Sequence, residues 1–215
     1  MALIGDEDYE PRSNRPTSTP HKQLSVVTRR SLILESALEL FATRGYQSTT
    51  MDEIGERVGI RGPSIYKHFR SKQDLLLVLM FQTMEQLLEG FESAVSASDD
   101  VGQQLKLAVE AHVRYHARHR FEAFVGTREI NSLTEPERSK IVDLRGEYER
   151  KFRDLIERGR VEGRFNTGSS RLASYAILDM GVGVSVWFRE SGAFDEDQIA
   201  RYYGIMALRM LGGST

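Results

Sequence analysis

The sequence predicts an all-α protein: a small three-helix unit near the N-terminus, followed by a larger bundle of long helices. Three observations carry this prediction. Apolar residues recur at helical spacing in one window after another, and no stretch alternates as a strand does. Helix-start patterns, a small polar residue with Asp, Glu or Gln three positions on, stand at Thr50/Glu53, Ser71/Asp74, Thr134/Glu137 and Asp195/Gln198. Glycines punctuate the helix ends at Gly45, Gly163 and Gly192.

Residues 1–24 contain Pro, Ser, Thr and Arg without apolar periodicity and are expected to form a disordered arm, whose Arg12, Arg15 and Lys22 are more in keeping with a solvated tail than with phosphate contacts. The first helix is expected from about Val27 to Arg44, with Ile33, Ala37, Leu40 and Phe41 on its buried face. Thr50 and Glu53 form a capping box that starts a two-turn helix at Met51 and turns Ile54 and Val58 inward. Gly59 permits a sharp bend. Pro63 then suits the first turn of another short helix, because its missing N–H needs no partner there. Two short helices joined through a glycine turn, braced by a longer helix before them, make a helix-turn-helix. Long helices follow at about 72–97, 101–119, 121–132, 135–163, 170–190 and 196–211. The expected division is therefore an arm (1–24), a helix-turn-helix domain (25–72) and a larger helical domain (73–215).

Charge follows the same division. The whole chain carries −2, yet residues 25–72 hold eight basic and five acidic side chains, while 73–215 hold 18 and 22. A small anion-facing module on an acidic body is the expected arrangement. With no cysteine in 215 residues, disulfides, thiolate metal sites and cysteine nucleophiles are excluded. The N-terminal stretch has acidic residues where a secretory signal needs basic ones, so a cytoplasmic protein is expected.

The helix from Pro63 presents Ser64, Tyr66, Lys67 and His68 away from the Ile65/Phe69 face, with Arg61 just before it. In a recognition helix, residues near the N-terminus meet base edges while flanking polar groups hold phosphates. Arg61 is the candidate for bidentate guanine contact, and Ser64 for a base or a phosphate. Tyr66, Lys67, His68 and Lys72 are the other candidates for DNA contact. Thr50 and the free N–H groups of its helix offer a second phosphate cradle.

The run "SALELFATRGYQSTTMDEIGERVGIRGPSIYKHFRSKQDLL", Ser36 to Leu76, resembles the N-terminal domain of the TetR/AcrR family of transcriptional repressors. The resemblance implies a phosphate contact at Thr50, aromatic backbone contacts at Tyr66 and His68, and the family's lysine at Lys72. Arg61 and Gly62 depart from the residue types frequent there, and Gly62 has no side chain to read a base. The resemblance also implies a homodimer on a palindromic double-stranded operator, a small-molecule effector, no cofactor and no membrane.

In such proteins the later helices hold a ligand pocket and a dimer interface. Candidate pocket residues are Met84, Leu88, Tyr115, Phe124, Arg128, Tyr148 and Trp187, although core packing is the simpler role for each alone. The helix Leu172–Phe188 is apolar almost all round, too short and too polar for a membrane span, and with the last helix it suits half of an intersubunit four-helix bundle. The segment from Ala123 to Phe165, with "VWFRESG" later, is similar to a subgroup associated with acyl-CoA, fatty-acid or sterol catabolism. Arg128, Arg145 and Arg189 are then candidates for CoA phosphates, or for ordinary pairing with Glu147, Glu149 and Asp154. The alternative reading is an all-helical metal-dependent enzyme built on His112, His116 and His119, whose spacing places them on one helical face. No HExxH, Walker, GxSxG or GxGxxG pattern supports an enzyme.

Overall fold

The computed structural model describes residues 20–60 and 62–212. Eight α-helices are present among them: α1 (Pro20–Arg44), α2 (Met51–Arg57), α3 (Lys72–Ser96), α4 (Val101–Arg118), α5 (Arg120–Glu129), α6 (Glu137–Val161), α7 (Ser170–Trp187) and α8 (Glu196–Met210). A 3-10 helix, Gly62–Lys67, lies between α2 and α3, and a shorter one, Ile130–Ser132, follows α5. The all-α fold is as predicted.

The caps explain most helix starts. Thr50 accepts from the Glu53 N–H at 3.2 Å while the Glu53 carboxylate accepts from the Thr50 N–H at 2.8 Å, closing the expected box. The Asp195/Gln198 box closes in the same way, and Ser71 caps α3. Two expectations need correction. α1 begins at Pro20 rather than near Val27, so the last residues of the expected arm are helical; a proline at the first helical position loses no hydrogen bond. The Thr134/Glu137 box does not form: α6 begins after Pro136, and the Glu135 carboxylate instead accepts from the Ser139 N–H at 3.2 Å.

Two apolar cores are stacked along α3. The first gathers Ile33, Leu40 and Phe41 of α1, Ile54 of α2, Ile65, Phe69, and Leu75 and Leu76 of α3. It continues into Val125 of α5 and Ile141 of α6, so the helix-turn-helix is seated on the rest of the chain through shared apolar contacts. The second core joins Met84, Leu87 and Phe91 of α3 to α4, α6, α7 and α8. One continuous helix thus has its first half in one core and its second half in the other.

The α4–α7 crossing is unusually close. A Cβ on Gly181 would lie 2.1 Å from His112 Cδ2, well inside contact distance. Gly183 faces open space, so of the two α7 glycines it is Gly181 that serves internal packing. Gly181→Ala is expected to cost about 1–3 kcal/mol of stability, through overpacking against a ring held on every side. A denaturant titration against Gly183→Ala, expected to be nearly neutral, checks this.

Candidate functional site

The helix-turn-helix is held from below by α1. Arg29 donates to the Val58 carbonyl at 3.0 Å, satisfying the C-terminal end of α2. Arg30 donates to the His68 carbonyl at the end of the 3-10 helix, and its guanidinium lies 4.1 Å from the Phe69 ring centroid. Arg57 pairs with Glu39 at 2.7 Å and Arg44 with Glu53 at 3.3 Å, tying α2 across α1. Arg29 and Arg30 were not singled out in the sequence; a pair of arginines on a helix has no local signal for the carbonyls it will reach.

The segment expected as a second short α-helix is a 3-10 helix. Few residues separate the Gly59 bend from the Ser71 cap, and Ile65 and Phe69 must both enter the core beneath, which they do at 1% and 3% exposure. The i to i+3 bonding of a 3-10 turn fits that short span. With those two residues inward, Ser64, Tyr66 and Lys67 stand exposed and His68 is half-buried. Thr50 is exposed at the start of α2. Arg61 lies outside the described residues.

Lys72 is turned differently. Its ammonium donates to the Tyr46 carbonyl at 2.7 Å and the Thr49 carbonyl at 2.8 Å, and sits 4.3 Å from the Tyr46 ring centroid. It organises the loop that ends at the Thr50 cap, and partial burial draws its pKa below the ordinary lysine value. Beside it Gln73 joins the two parts of the chain. Its amide donates to the Tyr46 hydroxyl at 2.9 Å and to the Ser132 carbonyl at 2.6 Å, and its carbonyl accepts from the Thr134 N–H at 3.2 Å. Glu129 completes this latch by accepting from the Tyr46 N–H at 3.3 Å and from the Ser132 hydroxyl at 2.8 Å. Neither Gln73 nor Glu129 stood out in the sequence, because the partners of Gln73 and the Tyr46 partner of Glu129 lie 27 to 83 residues away.

In the second half, a cleft of about 490 Å³ opens between α3 and α4. Leu87, Gly90 and Ala94 form one wall, Leu107 and Ala111 the other, and Tyr115, His112 and Tyr148 lie at its base. Of the pocket candidates, Tyr115 and Tyr148 are brought together here. Met84 is buried in the core, and Leu88 packs on the edge of that core along α3. Phe124 and Arg128 pair on α5, the guanidinium 4.4 Å from the ring centroid. Trp187 is 49% exposed on a separate apolar groove with Phe194 and Tyr202.

The three histidines do not converge on a metal. His112 has both ring nitrogens engaged, Nδ1 with the Tyr148 hydroxyl and Nε2 with the Leu178 carbonyl, each at 3.1 Å. His116 packs edge-on against it, and His119 lies 3.2 Å from Glu122 while stacking on Tyr115. Among the described residues no group of His, Asp and Glu is placed to hold a metal ion, which removes the basis of the metal-enzyme alternative. Burial lowers the His112 pKa to about 4 and that of His116 well below 6.5. Among the described residues no helix is long and apolar enough to cross a membrane.

Comparison with known proteins agrees with this architecture. Residues 33–79 match the model for bacterial regulatory proteins of the tetR family, and residues 98–211 match the tetracyclin repressor-like C-terminal domain. A tetR-family regulatory protein of Rhodococcus RHA1 is 30% identical, and the match covers 87% of this chain and 98% of that one with a TM-score of 0.81. The transcriptional repressor KstR2 of Mycobacterium tuberculosis is 27% identical over 192 residues, 88% of this chain and 94% of KstR2. Its structure, described as that of a ketosteroid transcriptional regulator, overlays with a TM-score of 0.79 over 87% of this chain and 96% of that one. The transcriptional activator FasR of Mycolicibacterium smegmatis is 35% identical over 109 residues, 51% of this chain and 49% of FasR, so the chain spans about half the length of that relative. With a braced helix-turn-helix at one end and a C-terminal model matched over more than half its length, the chain belongs to the tetR family of bacterial regulatory proteins, DNA-binding regulators of transcription rather than enzymes.

Proposed function

We propose that this regulator is a cytoplasmic homodimeric repressor that reads a palindromic operator with two copies of the Gly62–Lys67 helix and leaves it when a small apolar effector binds. The observation that carries this reading is the exposed row of Ser64, Tyr66 and Lys67 on a helix whose other face is anchored by Ile65 and Phe69. With Thr50, Arg61, His68 and Lys72 these residues form the DNA-contacting set, inside a unit spanning 25–72. Residues 73–215 supply effector binding and dimerisation. KstR2, similar over most of both chains, is a repressor, which favours repression over the activation that FasR performs.

Dimerisation is supported by α7 and α8. Together they expose Tyr175, Val186, Trp187, Tyr202, Met206 and Met210, an apolar face too large to be left to water in a stable monomer. Two copies packed through this face bury it in a four-helix bundle and place two recognition helices under one two-fold axis.

The α3–α4 cleft is the effector site in this reading, and an acyl-CoA thioester is the effector class favoured by the resemblance to lipid-catabolism regulators. α3 carries the signal because its first half lies in one core and its second half in the other, so displacement at the cleft moves Lys72 and Gln73. Hundredfold release needs a coupling of about 2.7 kcal/mol, within the usual range for such proteins. Gln73→Ala cuts the latch on both sides. It is expected to keep operator affinity within a few-fold and to reduce effector-induced release about tenfold, read by titrating effector against labelled operator.

The defining experiment is selection of bound sequences from a random double-stranded DNA pool at fixed salt, since phosphate contacts make affinity salt-dependent. Enrichment of a single palindrome is the expected result. Failure to enrich any sequence with protein stripped of small molecules by refolding would overturn the reading.

A further inference from the structure

The two short helices of the helix-turn-helix are held to α1 in different ways. α2 has three side-chain ties: Arg29 to the Val58 carbonyl at 3.0 Å, Arg57 to Glu39 at 2.7 Å and Arg44 to Glu53 at 3.3 Å. The segment 62–69 has one. Among the described residues, the hydrogen bond from Arg30 to the His68 carbonyl is the single side-chain hydrogen bond that reaches it from another helix.

Apolar anchoring does not fix how this helix is turned. Ile65 and Phe69 set its depth, at 1% and 3% exposure, but burial is non-directional. A 3-10 helix of six residues has little rigidity of its own. Its last carbonyls leave the end without a helical donor. The Ile65 carbonyl takes the His68 and Phe69 N–H groups, at 2.9 and 3.2 Å, and the His68 carbonyl is taken by Arg30. The same guanidinium lies over the Phe69 ring, 4.1 Å from its centroid. One planar group thus grips the main chain and the anchoring ring together, a pairing of hydrogen bond and stacking that an ammonium cannot reproduce. Beyond it, the Arg70 N–H donates to Asp74 of α3 at 3.0 Å, so the chain leaves the helix at a fixed point. Arg30 is half-buried and lies on the Phe69 side, whereas Ser64, Tyr66 and Lys67 are exposed.

We propose that Arg30 is a positioning residue for operator recognition. It touches no DNA; it fixes the roll of the Gly62–Lys67 helix about its own axis, so that the exposed row meets base edges and phosphates in one register. This inference deepens the reading given above and rests on that helix being the one that reads DNA. Arg29 is a control built into the chain. It stands next to Arg30 on α1 and carries the same charge, but its bond goes to α2, where two ion pairs back it up.

The test compares binding of the full chain to the selected operator and to a scrambled duplex, across a salt series and well below the melting temperature of every variant. Arg30→Met is expected to weaken operator binding about tenfold, the scale of one mismatched base pair, and to leave the scrambled duplex and the salt slope unchanged. Loss of stability alone does not produce that pattern in folded protein. Arg30→Lys keeps the charge without the planar fork and is expected to remain at least threefold weaker than the parent; it carries the test if the methionine variant fails to fold. Arg29→Met is expected to stay within twofold. Operator affinity within twofold of the parent in Arg30→Met, or full recovery by lysine, overturns the proposal. So does an equal loss in Arg29→Met. Equal losses on both duplexes, with a salt slope smaller by about one unit, also overturn it, since they mark a direct phosphate contact. Replacing Tyr66 and Lys67 by alanine separates the two readings. Unchanged operator binding there removes the recognition helix itself, whereas a weak double variant beside an unaffected Arg30→Met removes this inference alone.

Discussion

Replacing Tyr66 and Lys67 together by alanine is expected to lower operator affinity about a hundredfold near 0.1 M salt, a loss of about 2.7 kcal/mol. Both side chains are exposed, Tyr66 at 51%, and they project from the face opposite Ile65 and Phe69. Each phosphate contact removed lowers the slope of log affinity against log salt by about one unit, so the double variant should be both weaker and less salt-sensitive. Its melting temperature should not change, because neither residue enters a core. Fluorescence anisotropy with the selected operator reads the first effect and a thermal melt the second. Affinity within threefold of the parent would remove this helix from the interface. Lys72→Ala is expected to differ: its ammonium ties down the Tyr46 and Thr49 carbonyls, so that variant should lose stability as well as DNA affinity.

Acidification is the second large effect. His112 and His116 are neutral in the folded protein because burial opposes their charging, and His112 takes a proton only near pH 4. Below about pH 6.5 the unfolded chain binds protons at both histidines that the folded chain refuses. Stability is therefore full above that pH and falls as the pH drops, with His112 alone contributing a loss of about 3 kcal/mol by pH 4. Glu157, held near 2 by Arg160 and Ser170, adds its loss only below the ordinary carboxylate range, so the interval from 6.5 to 4.5 belongs to the histidines. Urea titrations across that interval should show midpoints rising with pH in the parent and a flatter dependence in His112→Gln. The slope is the readout, so it survives any uniform loss of stability in the variant. A parent protein equally stable at pH 4.5 and 6.5 would contradict the assignment.

Much of the helix-turn-helix was legible because its signals act within a turn or two of chain. Thr50 and Glu53 cap one another across three residues, Gly59 adopts a positive φ of 69° at the bend, and Ile65 and Phe69 share a face wherever the helix docks. The same locality explains the exposed row Ser64, Tyr66 and Lys67. It also explains the miss at α6, where a local pattern at Thr134 lost to the competing Glu135 carboxylate one position on.

The effector half was legible as helices and not as a site. Periodicity placed Met84, Tyr115, Tyr148 and Trp187 on apolar faces but held no information on which faces meet. In the fold Tyr115 and Tyr148 share a cleft while Trp187 stands on a separate, exposed groove. The histidine run illustrates the limit best. Spacing alone allowed a metal cluster, and the tertiary structure decided otherwise by bringing Leu178 and Tyr148 to the two nitrogens of His112.

By itself, then, the sequence determined the helical class, the caps, the bend and the outward face of the recognition helix, all of which depend on interactions between near neighbours. The direction of Lys72, the Gln73–Glu129 latch and the His112–Tyr148 hydrogen bond were decided by tertiary structure, because each joins groups 23 to 83 residues apart whose pairing exists only once both cores have formed.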